Sequence, residues 1–204
     1  MEPQELYRKQ MLEIIKRITI LKYTIEGTQQ FNRDQQKIEF SYLQLRKILE
    51  LVAFSSIVPN KEKYSKAHNN FFKHYRTIDI LDVVEKINPD FYPKPLEINF
   101  GEESRHTATS KDANIDGELT PLTKKEFKEL YKICSKVIHI PNPYDKNKDT
   151  IDLIYDIDTW LRKICSLLDR HMIKFADSSD CWMVIMNAGN NSPMVISMSP
   201  KESS

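Results

Sequence analysis

Tyr131, Ser135 and His139 recur at intervals of four in LYKICSKVIHIPNPYD, residues 130–145. On a helix this spacing sets a phenol, a hydroxyl and an imidazole along one face, a turn apart. An imidazole titrates near neutral pH, so a histidine beside a hydroxyl can serve as general acid or base. The same residues also have a plainer, structural reading. Pro141 and Pro143 stop the helix, and a histidine in its last turn is favoured by the helix dipole. Cys134 belongs to the neighbouring apolar stripe, with Leu130 and Val137.

A second constellation lies far upstream. Arg46 and Glu50 are four apart in SYLQLRKILELVAF, 41–54, a run that is otherwise mostly apolar. A charged pair inside such a run lies near the core, where each ion needs a partner. As an ordinary helix pair it contributes only about 0.2–0.5 kcal/mol. The third is HNNFFKHYR, 68–76, where Phe71 and Phe72 alternate with His68, Lys73, His74 and Arg76. Aromatics interleaved with cations can stack bases and meet phosphates of a single strand, with His74 and Arg76 as the contacting groups. The competing demand on Phe71 and Phe72 is the apolar face of their own helix. Cys134, His139, Cys165 and His171 could supply zinc ligands, but their C-x4-H and C-x5-H spacings are not those of common zinc modules. No metal or other cofactor is expected.

These groups must be placed by helices. Tyr7, Met11, Ile14, Ile18, Leu21 and Ile25 alternate in steps of four and three, a seam that predicts a long amphipathic helix over 4–26 with a break at Gly27. A second helix is expected over 28–57 on Phe31, Ile38, Tyr42, Leu45, Leu49 and Val52, ended by Pro59. Shorter helices follow at 60–75 and 77–88. NPDFYPKP, 88–95, blocks helix and runs extended. LEINF has strand character, but 96–119 as a whole shows no helical period and reads as an irregular loop. Thr123 with Glu126 three residues later marks a capping box opening the fifth helix. The sixth is expected over 149–175, on Ile154, Ile157, Leu161, Ile164, Leu168 and Phe175. CWMVIM and PMVISM around NAGNNS predict a β-hairpin appendage at 180–199. The expected fold is mainly α, a single-domain bundle of about six helices over 1–204 with a small C-terminal β-hairpin.

Composition narrows the function classes. The 204 residues carry 40% hydrophobic and 29% charged side chains, ordinary for a globular protein. With four glycines and no GxGxxG or GxxxxGK[ST] run, the usual nucleotide-binding loops are absent. The formal net charge of +1 gives no bulk attraction to nucleic acid. Three scattered cysteines suit a reducing compartment. No apolar run is long enough for a membrane span, and the charged N-terminus does not resemble a signal peptide. A cytoplasmic protein with no membrane association is expected.

LQLRKILELVAF, 44–55, taken with LYKICSKVIHIPNP, 130–143, resembles the HEPN superfamily, loosely over residues 28–175. Members are helical bundles, many with a motif of arginine, a polar residue, three further residues and histidine. CSKVIH, 134–139, occupies that window, with Ser135 at the polar position and His139 at the histidine. Cys134 stands where the family has arginine. The resemblance implies bacterial or phage defence, such as a toxin–antitoxin or antiviral setting. Many active members are metal-independent ribonucleases that pair as dimers, with histidine moving protons and arginine holding phosphoryl oxygens. A cysteine cannot hold a phosphate that way. Lys132 offers only a point charge. Arg46, paired with Glu50 on its own helix, could bring a cation from the facing helix, and Tyr131 and Glu50 are candidate binding residues. The expectation is therefore a binding or regulatory component, a homodimer with a protein partner and with RNA or a nucleotide as a further ligand. A ribonuclease using His139 as acid/base is the alternative.

Overall fold

The computed structural model of the protein describes residues 2–27, 30–67, 77–100, 106–110, 120–140, 153–176, 178–189 and 192–199. The fold is mainly helical with a small antiparallel sheet. Helices α1 (Pro3–Ile25) and α2 (Asp34–Ile57) are the longest elements. Tyr7, Met11, Ile14 and Leu21 of the first seam are buried, and Ile18 and Ile25 pack at its margin. Gly27 ends α1 with φ +77°, a conformation that a residue with a Cβ rarely adopts. Helix α2 begins at Asp34 rather than at 28. Phe31 lies ahead of it, its ring tilted by 47° to that of Phe40 at 5.5 Å between centroids, so the apolar spacing there reflects a folded-back entry rather than a helical turn.

Helix α2 is the central strut and contacts α1 and three later helices: α4 (Thr77–Ile87), α5 (Lys124–Ile138) and α6 (Leu153–Leu168). Ile38, Tyr42, Leu45, Ile48, Leu49 and Val52 are buried along it. Each aliphatic side chain among these, withdrawn from water, stabilises the fold by about 1.5–3 kcal/mol. Pro59 closes the helix into a 3₁₀ turn, Val58–Asn60, that leads into α3 (Lys61–Ala67). The remainder of the helix expected to 75 lies outside the described residues. At the head of α5, Thr123 accepts from the Glu126 amide and Glu126 accepts from the Thr123 amide at 2.9 Å, the capping box read from sequence. Lys124–Glu85 and Lys128–Asp82 ion pairs tie α5 to α4.

The sheet is larger than the expected hairpin. Strands β1 (Lys94–Phe100), β2 (His106–Ser110), β3 (Arg170–Lys174), β4 (Cys181–Ile185) and β5 (Met194–Met198) pair antiparallel in the order β2-β1-β3-β4-β5. Two expectations are corrected by it. The stretch 96–119 is not irregular throughout, because β1 and β2 pair from Leu96 with Ser110 to Phe100 with His106. Helix α6 ends at Leu168 instead of running to 175, and Arg170–Lys174 alternates between half-buried and buried along the chain. The β4–β5 hairpin is thereby integrated: β3 lies on its inner flank. Phe175, seven residues after Leu168, imitates the helical seam, yet it packs edge-on against Trp182 at 5.0 Å from beyond the strand.

His171 locks this junction. It is wholly buried, and its Nδ1 lies 2.8 Å from the carbonyl of Leu168, an acceptor left open at the end of α6. Because a carbonyl only accepts, Nδ1 carries the proton and Nε2 accepts from the Tyr7 hydroxyl at 2.8 Å. Burial lowers the His171 pKa from 6.5 to about 4. A folded-state pKa below the unfolded one means that the unfolded chain takes up the proton first. The contribution is therefore fully present above pH 6.5 and is lost as pH falls towards 4, to a total of about 3 kcal/mol. Urea unfolding at pH 7 and pH 4.5 should show this loss in the wild type and a smaller loss in His171→Gln; equal losses would remove His171 as its source.

Candidate functional site

Arg46 and Tyr131 are 85 positions apart in the chain, and the packing of α2 on α5 brings them together. The register follows from sequence. Phe127, Leu130 and Cys134 turn the apolar stripe of α5 into the core, and Leu45, Ile48 and Leu49 do the same for α2. The polar residues bordering each stripe then meet at the seam between the helices.

The Arg46 guanidinium is the hub of the site. Its Nε donates to Glu50 Oε1 at 3.0 Å, Nη1 to Ser135 Oγ at 3.2 Å and Nη2 to the Tyr131 hydroxyl at 3.1 Å. Its central carbon stands 4.9 Å from the Tyr131 ring centroid, within cation–π range. The fork geometry of a guanidinium makes this possible, because three acceptors from two helices are met by one planar group. Ser135 Oγ also donates to the Tyr131 carbonyl at 2.9 Å, so the hydroxyl is engaged in both directions. Burial works against the charge on Arg46, and the hydrogen bond to Glu50 with the charges of Tyr131 and Glu50 outweighs it, so its pKa rises above the ordinary value. The Arg46 and Glu50 side chains keep 26% and 29% of their exposure; the cluster thus sits at the surface end of the seam rather than in the core.

Cys134 is wholly buried beside it. Burial pushes its thiol up to about 12, against the pull of the Arg46 charge. It therefore stays a neutral thiol, unsuited to attack as a nucleophile. Cys134 points into the core, and the nearby cation comes from α2.

His139 ends α5 with extended backbone angles, φ −82° and ψ 143°, and its amide donates to the Ser135 carbonyl at 3.2 Å. The imidazole is exposed, with no hydrogen-bond partner among the described residues. This is the cap position of the plainer reading, reached through the backbone. Lys132 is exposed on the outer face of the same helix, one residue past Tyr131, and it takes no part in the Arg46 cluster. His74 and Arg76 lie outside the described residues. The structure thus unites Arg46, Glu50, Tyr131 and Ser135.

The possible zinc set is not assembled. Cys134 and His171 are buried on different elements, His139 is exposed, and among the described residues no three His, Cys, Asp or Glu side chains could hold a metal. A cleft of about 460 Å³ opens elsewhere, between α1 and the end of α6, lined by Ile18, Lys22, Cys165, Asp169 and Asn187. None of the Arg46 cluster reaches it.

The buried Tyr7–His171 pair was not legible as a site. His171 is one histidine in an apolar segment, and its partner lies 164 positions away. The nearest sequence signal is the alternation in RHMIK, which marks a strand with His171 on its inward side.

Replacing Arg46 should loosen α5 from α2. Arg46→Ala is expected to destabilise the protein by about 1–2 kcal/mol, since charge-assisted bonds are lost at a partly exposed site. Arg46→Lys should recover less than half, because an ammonium cannot serve three acceptors in one plane. Chemical denaturation of the two variants measures this, and full recovery by lysine would refute the fork. In comparisons with protein-family models, with curated proteins and with solved structures, nothing matches the chain.

Proposed function

We propose that the protein is an HEPN-like bundle of about six helices that acts as a binding or regulatory component in bacterial or phage conflict, without cleaving RNA. The defence setting comes with the resemblance of residues 44–55 and 130–143. The observation that carries the binding reading is the engagement of Arg46. Its three donor groups are committed to Glu50, Ser135 and Tyr131, and Cys134 is buried. His139 is left as an exposed imidazole without a free cationic fork beside it, and a phosphoryl-transfer site needs both. A closed Arg–Tyr–Ser–Glu cluster does suit a rigid seam presenting a surface to a protein partner, with RNA or a nucleotide as a further ligand.

The setting that fits is cytoplasmic, with no membrane role. Among the described residues, no helix is long and apolar enough to cross a bilayer. A homodimer through the first two helices is part of the proposal. Leu6 and Tyr23 of α1 and Phe54 of α2 stay exposed, and apolar groups left on a helix pair favour association.

Incubation of the purified protein with single-stranded RNA should give no cleavage, with His139→Ala indistinguishable from wild type. Cleavage that His139→Ala abolishes would replace this proposal with the alternative, a metal-independent ribonuclease using His139 as acid/base. Sedimentation at micromolar concentration should show a dimer, and a monomer across that range would remove the homodimer.

A further inference from the structure

The two faces of the sheet differ in what covers them. Directly paired residues of an antiparallel sheet project to the same side. His171 pairs with Val184 and Val184 with Val195, while Ile173 pairs with Trp182. These five form the inner face, all buried except half-buried Val195, and they join the core or pack against it. Ser197 on that face accepts from Gln4 of α1 at 2.6 Å.

The outer face of β3, β4 and β5 is also apolar along its middle, and it stands apart from the core cluster. Met172, Met183 and Ile196 form its middle row, and Ile185–Met194 and Cys181–Met198 lie to either side. None of these is buried, and none packs against the core. Met194 and Met198 keep 45% and 41% of their exposure. Strand β5, the edge on this side, carries no charged residue. A solvent-facing sheet normally alternates apolar inward with polar outward; here both sides of β4 and the outer side of β5 are apolar. Methionine is the main contributor, a side chain flexible enough to mould itself to a partner.

Size and charge select the partner. Three strands about 4.8 Å apart and five residues at about 3.4 Å make a face of roughly 14 by 17 Å, about 240 Å² in plan. A stable contact between two folded proteins, or between two copies of this chain, needs about 800 Å² from each. One helix of about twelve residues is about 18 Å long and 10 Å wide, and it covers this face. The charges lie on one side only. Arg170 and Lys174 share the face along β3, and Lys94 of β1 pairs with Met172 beside them. Asp90 is divided between Lys94 and Lys174, and Arg170 has Asp169 at 3.8 Å. Three cations against two carboxylates leave that rim positive, while the β5 side is uncharged.

We propose that the outer sheet face is a docking site for an amphipathic helix of a partner protein, with an apolar stripe seated on Met172, Met183 and Ile196 and acidic residues along the edge facing Arg170 and Lys174. The site is remote in sequence from His139 and Arg46 and stands whether or not the chain cleaves RNA.

The test uses the full chain and two labelled synthetic peptides of about twelve residues, with one leucine stripe in common and flanks of glutamate in the first and lysine in the second. Fluorescence anisotropy should show the acidic peptide binding in the micromolar range, at least ten-fold tighter than the basic one. Met183→Glu should abolish binding, and Arg170→Glu with Lys174→Glu should erase or reverse the preference. Should Met183→Glu fail to fold by circular dichroism, Ile196→Asn serves in its place. The proposal is overturned if neither peptide binds, or if binding survives both face substitutions. It is equally overturned if those substitutions dissociate a dimer of the wild type, making a second copy the occupant, or if they release the protein from phosphatidylcholine–phosphatidylglycerol vesicles, making a lipid surface the occupant.

Discussion

The hydrogen bond from Tyr7 to His171 fixes where the two ends of the chain meet. It is buried, joins α1 to β3, and leaves neither polar group unsatisfied because the other ring nitrogen meets the Leu168 carbonyl. An unpaired imidazole or phenol in that position would cost about 1–3 kcal/mol. Tyr7 also lies edge-on to Trp182 at 5.6 Å, so one side chain organises α1, the end of α6 and the inner face of the sheet. A second buried relay runs parallel to it. Asn88 donates to the Lys174 carbonyl at 2.8 Å, and Asn60 accepts from the Ala176 amide at 3.0 Å, holding the exit of β3 against the α2–α3 corner. Satisfied polar contacts of this kind set a unique orientation where apolar packing alone would tolerate several.

The orientation has a consequence for the sheet. With Trp182, Val184 and Ile173 drawn inward, the alternate residues of the same strands must face outward. In β4 and β5 those alternates are Cys181, Met183, Ile185, Met194, Ile196 and Met198. The asymmetry between a filled inner face and an apolar outer one follows from the pleat once Tyr7 has chosen the side.

At the α2–α5 seam, a positive charge rooted on one helix is engaged by hydroxyls of the other. Position 134 of α5 is a buried thiol, while the guanidinium of Arg46 reaches across to residues near it. The two arrangements are not equivalent chemically. A guanidinium rooted on α2 is consumed by Ser135 and Tyr131 of α5 and by its own neighbour Glu50, whereas one at position 134 would share a helix with His139. The geometry ties the two helices together and leaves each nitrogen of the Arg46 guanidinium engaged within the fold.

Local chemistry decided much of this protein from sequence alone. The steps of three and four from Tyr7 to Leu21 and from Ile38 to Val52, the Thr123–Glu126 capping box, the stop at Pro59 and the break at Gly27 all depend on neighbours within a turn or two, so each could be read in the chain. Arg46, Glu50, Tyr131 and Ser135 were visible as two helical pairs, since a polar group bordering an apolar stripe must lie at a seam. Their union was a tertiary outcome, because the relative register of two helices depends on packing between residues far apart in the chain. The end of α6 was equally beyond sequence reach. Leu168 and Phe175 keep a helical spacing, and only pairing with β4 offers residues 170–174 better partners for their backbone than another turn of helix. His171 belongs to the same class: its surroundings are built by Tyr7 and by the end of a helix, neither of which a window along the chain contains.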